Sequence, residues 1–213
     1  MGVWRRSRRR RGYREYCSRL GFTFFDDRST IGSAVWMSIP LFNQGWGQRW
    51  RFAISGNYDG HGFWVGEWSF FTGFLKSSTR HVFGVILWTP GETLPRFTCI
   101  PNAEYTGSGG WLSSPVPGDD PELTKEAVIP GGVMNGYCGY RLRAARDEDV
   151  TALLTPGRRS FLETHGGQHL ATGHGALVWW EVGELPLPAA LDDFIREGHA
   201  ARAAFANRGT RAA

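Results

Sequence analysis

Three cysteines in 213 residues, Cys17, Cys99 and Cys138, stand at no metal-ligand spacing and are too few for a disulfide framework. An odd, sparse count suits buried thiols in a reducing compartment. No run approaches the roughly 18 consecutive apolar residues of a transmembrane helix. The N-terminus also lacks the apolar stretch of a secretory signal, so the chain reads as soluble and cytoplasmic. Its 29 glycines follow no three-residue period, which excludes a collagen-like fibre. No repeat of about 20 to 50 residues is visible. There is no Gly-x-Ser-x-Gly, Walker loop or dinucleotide fingerprint. Gly107-Ser108-Gly109-Gly110 lacks the lysine and hydroxyl residue of a phosphate loop and reads as a linker.

What the chain does have is arginine at one end. Arg5, Arg6, Arg8, Arg9, Arg10, Arg11, Arg14 and Arg19 fall within the first nineteen residues, opposed only by Glu15. This stretch carries +7 of a whole-chain charge of +4, so the rest of the molecule is mildly acidic at −3. The pI of 9.2 therefore belongs to an appendage, and the body is a separate matter. With 41% hydrophobic residues, ten Trp and fourteen Phe, that body has the material for one well-buried domain.

Periodicity gives an outline. Tyr13, Tyr16, Cys17 and Leu20 form one apolar stripe of a helix beginning near Arg9, with Gly21 as its C-terminal cap. Arginine at the start of that helix has the wrong sign for the helix dipole. Strands follow at Arg49 to Ser55, Phe63 to Phe71, Arg80 to Trp88 and Arg96 to Ile100, linked as an antiparallel meander. Pro95 and Pro101 suit an edge position for the fourth. Residues 101–136 read as a long connector rich in glycine and proline. Beyond it come a strand at Tyr140 to Arg143 and Asp147 as the N-cap of a short helix. Thr155 and Pro156 open a second helix through Phe161 and Leu162, closed by Gly166. A hairpin pairs Gln168 to Thr172 with Ala176 to Val182. Pro188 begins a last helix with Leu191, Phe194, Ile195 and Gly198 on one face, and the chain frays after Asn207. The expectation is a single α+β domain over residues 12–207. Its sheet is the four-strand meander plus the C-terminal strand and hairpin, its helices lie mainly on one face, and a basic arm precedes it at 1–11.

Few side chains invite chemistry. His165, His169 and His174 lie close in sequence, with Glu163 and Glu181 near enough to join them, and are the candidates for a metal. Gly166 and Gly167 interrupt the four-residue spacing that would put two of them on one helix face, so turn histidines are the plainer reading. Asp147, Glu148 and Asp149 suit a helix N-terminus electrostatically. Cys17 lies beside Arg14 and Arg19, which lower a thiol pKa where it is exposed, but its stripe position makes it a buried, inert thiol. The aromatic strands place rings on both faces of the sheet. Trp64, Trp68 and Phe71, with Trp111 of the connector, are candidates for a ligand surface; coverage of that face by the connector is the plainer reading, since monomers rarely expose large apolar patches.

Arg11-Gly12-Tyr13 through Leu20-Gly21-Phe22-Thr23-Phe24, Arg80 through Leu87, Leu94-Pro95-Arg96-Phe97, Pro101-Asn102-Ala103-Glu104 and Leu153-Leu154-Thr155-Pro156 together resemble a family of proteins from high-GC Gram-positive bacteria. The similarity runs from about Arg8 to Ala200, through short and mainly structural motifs. Members carry an N-terminal membrane span, a basic stretch and a cytoplasmic α+β domain of unknown function. The resemblance implies that the arginines are a juxtamembrane stretch, although this sequence contains no such span, and it brings no catalytic residues or cofactor. Gly2, Val3 and Trp4 directly before the arginines match the way a span commonly ends at its cytoplasmic side.

These readings converge on a non-enzymatic binding or scaffolding domain. Arg5, Arg6, Arg8, Arg9, Arg10, Arg11 and Arg14 would meet an anionic membrane surface or a membrane protein, peripherally at the inner face. Nucleic-acid binding through the arm is the alternative, weakened by an acidic body with no second basic surface. A metal-dependent enzyme built on the three histidines is the third.

Overall fold

The computed structural model describes residues 2–26, 39–74, 77–88, 94–103, 122–134, 137–165, 168–173 and 175–206. It opens on helix α1, Gly2–Leu20. Tyr13, Tyr16 and Cys17 are buried, as their spacing predicts, whereas Leu20 of the same stripe is exposed at the helix end; burial pushes the Cys17 thiol up to about 11. Gly21 takes φ +72°, and the Phe22 N–H donates to the Cys17 carbonyl at 3.0 Å, closing the helix. The start is a correction: the helix begins well before Arg9 and runs through the boundary expected after Arg11. Arginine is a good helix former, and Arg9 and Arg10 find carboxylates elsewhere in the fold, which offsets their unfavourable position on the dipole.

One antiparallel sheet holds all nine strands among the described residues, which establishes the α+β class. In chain order they are β1 Thr23–Phe25, β2 Trp46–Tyr58, β3 His61–Thr72, β4 Thr79–Trp88, β5 Phe97–Ala103, β6 Lys125–Met134, β7 Tyr137–Ala144, β8 His169–Gly173 and β9 Ala176–Val182. Their order across the sheet is β1-β2-β3-β4-β9-β8-β5-β7-β6. The expected meander is therefore right for β2, β3 and β4 and wrong for the strand after it. β9 pairs with β4, from Phe83↔Val182 to Trp88↔Leu177, and β5 lies between β8 and β7. Ala176 to Trp180 is buried residue after residue, a pattern suited to a central strand with both faces covered. Nor is β5 at the edge. Its prolines are tolerated because β8 pairs only with Thr98 and Cys99, leaving Pro101 with a strand partner on the β7 side alone.

The expected connector 101–136 contributes β6, which forms the true edge. Pro130, Gly131 and Gly132 lie within it, at a register shift between Pro130 and Met134. Edge strands and bulges are where a sheet accepts such residues.

The four α-helices among the described residues are α1, α2 (Asp147–Leu153), α3 (Pro156–Thr164) and α4 (Pro188–Ala206). All four send side chains into one core against the same face of the sheet: Tyr13 and Tyr16, Leu153, Leu162, then Leu191 and Phe194, over Phe52, Phe63, Ile86 and Trp179. The helix α3 opens at Thr155 and Pro156 as expected, with Thr155 as its cap, accepting from the Arg158 N–H at 3.4 Å. Asp147 is not a cap; Arg146 precedes the helix instead, and Asp147 joins Glu148 and Asp149 in the first turn. The buried Arg158 donates to the carbonyls of Ala152, Ala204 and Phe205, tying α2, α3 and α4 together.

A second core fills the opposite face, with Trp50, Trp68, Phe70, Phe83 and Trp180. Ile39, Leu41 and Phe42, at the short 3-10 helix Pro40–Asn43, cover part of it. Residues 104–121 of the expected covering connector lie outside the described residues.

Gly198 lets α4 approach the sheet. A Cβ there would stand 2.7 Å from Ile86 Cγ2 and 3.0 Å from Trp179 Cε3. Gly198→Val is expected to lower stability by about 1–3 kcal/mol through overpacking. Gly157→Ala in α3, where a Cβ meets nothing within 4 Å, serves as the control in the same denaturant titration and is expected to be neutral or stabilising by up to about 1 kcal/mol.

Candidate functional site

The arginine helix is fastened to the sheet by a buried ion-pair cluster. A bulge in β2 creates it: Trp50 pairs with Trp68 and Phe52 with Glu67, so Arg51 has no partner opposite. Arg51 and Phe52 then both lie on the helix-bearing side. Glu67 continues the Phe63 and Val65 series on that side and is 1% exposed. Arg51 Nη1 lies 2.5 Å from Glu67 Oε2, and Arg9 Nη2 lies 2.9 Å from Glu67 Oε1. Arg9 also pairs with Glu184 and donates to the Leu185 carbonyl. Tyr13 accepts from Arg9 at 3.1 Å and donates to the Pro186 carbonyl at 2.7 Å. Burial raises the Glu67 carboxyl above the usual carboxylate range, and the Arg51 and Arg9 guanidiniums pull it part of the way back. The cleft between Arg9, Arg10, Arg51, Phe52 and Glu67 is about 20 Å³, far below the space a small-molecule ligand occupies.

This geometry divides the seven arginines expected to face an anionic surface. Arg9 is 14% exposed and committed to the cluster, a correction to its assignment as a contact residue. Arg10 pairs with Asp26 at 2.6 Å and donates to the Arg51 carbonyl at 2.9 Å. Arg14 shares Asp26 and lies 5.3 Å from the Phe24 ring centroid. Arg8 and Arg11 point outward, with Arg11 beside Glu15 at 2.8 Å, and Arg19 is exposed further along. Arg5 and Arg6 belong to the first turns of α1.

Among the described residues, Trp64, Trp68 and Phe71 do not form one surface. Trp68 is 7% exposed, packed against Phe42 and Trp50, because β3 is buried on both faces; its assignment to a ligand surface is corrected. Trp64 is half-buried against Phe25 on that same side. Phe71 lies on the helix-bearing side, stacked on Trp46 at 4.8 Å. Trp111 lies outside the described residues.

No protein-family model and no curated protein matches this chain. Among solved structures, it is similar to the crystal structure of the mycobacterial trehalose monomycolate transport factor A, TtfA. The TM-score is 0.53, with 92% of each chain covered, at 9% identity. The likeness is one of fold.

The histidines are used otherwise than as a cluster. The His165 ring stacks on Phe161 at 4.1 Å at the end of α3, on the helix-bearing side. His169 stacks on Trp180 at 5.2 Å, on the opposite face, and burial lowers its pKa to about 4. His174 lies outside the described residues. Glu181 accepts from Gln168 Nε2 at 3.2 Å. Among the described residues, no three His, Cys, Asp or Glu side chains converge as a metal site. No helix among them is long and apolar enough to cross a membrane.

Sequence reasoning missed Arg51, Glu67, Glu184 and Asp26. One signal was present: Glu67 is the lone carboxylate in an otherwise apolar and aromatic strand, where a buried charge demands a partner.

Proposed function

We propose that this protein is a non-catalytic accessory domain of lipid transport, working against the inner face of the membrane. The exposed guanidiniums of α1 meet anionic headgroups. One observation carries the reading: α1 is locked to the sheet through Arg9, so Arg8 and Arg11 are presented outward on a fixed helix instead of a loose arm. The fold it shares with a mycobacterial transport factor supports the lipid-related part. The resemblance to proteins that carry a span ahead of their basic stretch supports the membrane part. Nucleic-acid binding is less well supported because the rest of the chain is acidic and offers no second basic surface.

Each basic residue close to an anionic surface adds about 1 kcal/mol. Arg8→Gln with Arg11→Gln is expected to weaken binding to phosphatidylglycerol vesicles about thirtyfold, with the thermal midpoint unchanged. Co-sedimentation at fixed salt reads the effect. Equal recovery of wild type on anionic and neutral vesicles would sink the reading. Tight duplex DNA binding with a log–log salt slope near about −5 would favour the nucleic-acid alternative.

A further inference from the structure

At the end of the sheet where β2 begins and β3 gives way to β4, two large rings face solvent. Trp46 is 51% exposed and Phe74 is 78% exposed. The Trp46 ring lies flat on Phe71, 4.8 Å between centroids and 19° between planes, and its indole N–H donates to the Gly73 carbonyl at 3.0 Å. The backbone is shaped to hold this stack. Gly45 and Gly47 flank Trp46 at φ +61° and +64°, and a Cβ on Gly45 would fall 2.1 Å from the Phe71 carbonyl oxygen. The turn is fastened at Phe74, whose carbonyl accepts from the Ser77 N–H at 3.1 Å and from Ser77 Oγ at 2.8 Å. Rings left exposed gain little from folding, so a backbone built to present them marks an interaction site.

The arginine helix points at the same end. Tyr16 meets Phe22, which packs on Phe63, whereas Arg9 meets Glu67. From Tyr16 back to Arg9, α1 therefore travels along β3 from Phe63 towards Glu67. The helical residues before Arg9 extend about 10 Å further at 1.5 Å each. Phe71 lies about 13 Å beyond Glu67 along the strand, on the same side of the sheet. Arg49 and Arg80 add positive charge there, opposite Ser69 and Phe71 in the register.

We propose that this end of the molecule, formed by Trp46, Phe71 and Phe74 with the N-terminal half of α1, is the surface that seats on an anionic lipid bilayer. Trp46 enters the headgroup layer, where an aromatic ring with one polar edge is favoured, and Phe74 carries its apolar ring into the acyl boundary beside it. The exposed Arg8 guanidinium of α1 meets the phosphates beside them. Positive charge around an apolar patch is complementary to an anionic bilayer, which offers phosphates and an apolar layer side by side. The inference rests on the membrane reading above and gives it a place on the molecule.

The test uses the full chain, vesicles of phosphatidylglycerol and phosphatidylcholine, and vesicles of phosphatidylcholine alone. Phe74→Ser and Trp46→Ser are each expected to weaken binding to the anionic vesicles about tenfold while leaving its salt dependence unchanged. Phe74→Leu, which keeps an apolar side chain, stays within about twofold of wild type. Phe74 faces solvent, so thermal midpoints confirm that folding is untouched. If wild type binds but the serine variants bind equally well, this surface is overturned and the membrane reading survives. If wild type binds neither vesicle, both fall. Self-association abolished by Phe74→Ser, with vesicle binding intact, would assign the patch to a second copy of the chain and also overturn the inference.

Discussion

Glu67→Ala is expected to destabilise the fold by about 3 kcal/mol, because it removes the buried carboxylate that two guanidiniums share and leaves them the half-exposed Glu184 as counter-ion. Arg51 lies 2.5 Å and Arg9 2.9 Å from the lost carboxylate. Water does not reach the site freely, since Glu67 is 1% exposed. A loss of that size is a large share of the roughly 5–15 kcal/mol that holds a domain together. Breaking the pair and replacing it are different experiments. Arg9→Met, Arg51→Met and Glu67→Met together remove all three charges and keep the packing volume. That triple variant is expected to be close to wild type or more stable. Urea titrations of the single and triple variants decide the matter. A cost below about 1 kcal/mol for Glu67→Ala would mean that solvent screens the cluster and that Tyr13 and Tyr16 alone hold the helix. The same substitution should quicken amide exchange along α1 before it does so elsewhere, because Arg9 loses the buried one of its two carboxylate partners.

That cluster also shows where the sequence is legible and where it is not. The stripe Tyr13, Tyr16 and Cys17 reveals a helix and its buried face, and both are found. The alternation in β2 and the apolar runs of β3 and β4 reveal strands joined by short turns, and these pair as expected. The step after β4 is not local. Whether β5 or β9 lies beside β4 depends on which strand brings apolar residues to both faces, and that choice is made across nearly a hundred residues. Pro130-Gly131-Gly132 hides β6, since those residues read as a loop everywhere except at an edge or a bulge.

The arginines follow the same logic. Their sum is plain from the sequence, but their division is set by how α1 lies over the sheet. Arg9 falls on the Tyr13 side of the helix and meets a carboxylate, whereas Arg8, one residue away, faces out. A one-residue bulge at Arg51 completes the cluster, and no periodicity announces it. The exposed aromatic end is half legible: Phe71 was a candidate, but its companion is Trp46, placed by glycines whose left-handed backbone is a property of the folded turn.

Acid should weaken the fold well above the carboxylate range, and His169 should be the main cause. Its ring lies nearly parallel to the Trp180 indole, 21° between planes, with Nδ1 buried and without a hydrogen-bond partner. Burial lowers its pKa from the ordinary 6.5 to about 4, and a backbone contact at Trp180 opposes the shift only in part. The folded state therefore binds fewer protons than the unfolded state between those values. The contribution is complete above pH 6.5 and is lost as pH falls towards 4, reaching about 2 kcal/mol at pH 5. His81 and His199, both lowered by burial, act in the same direction. His169→Phe keeps a ring on Trp180 and removes the proton site. It should therefore be about 2 kcal/mol less sensitive than wild type to a change from pH 8 to pH 5. Identical pH profiles for the two proteins in urea titrations would show that His169 charges without leaving its place on Trp180, and the burial argument would fail.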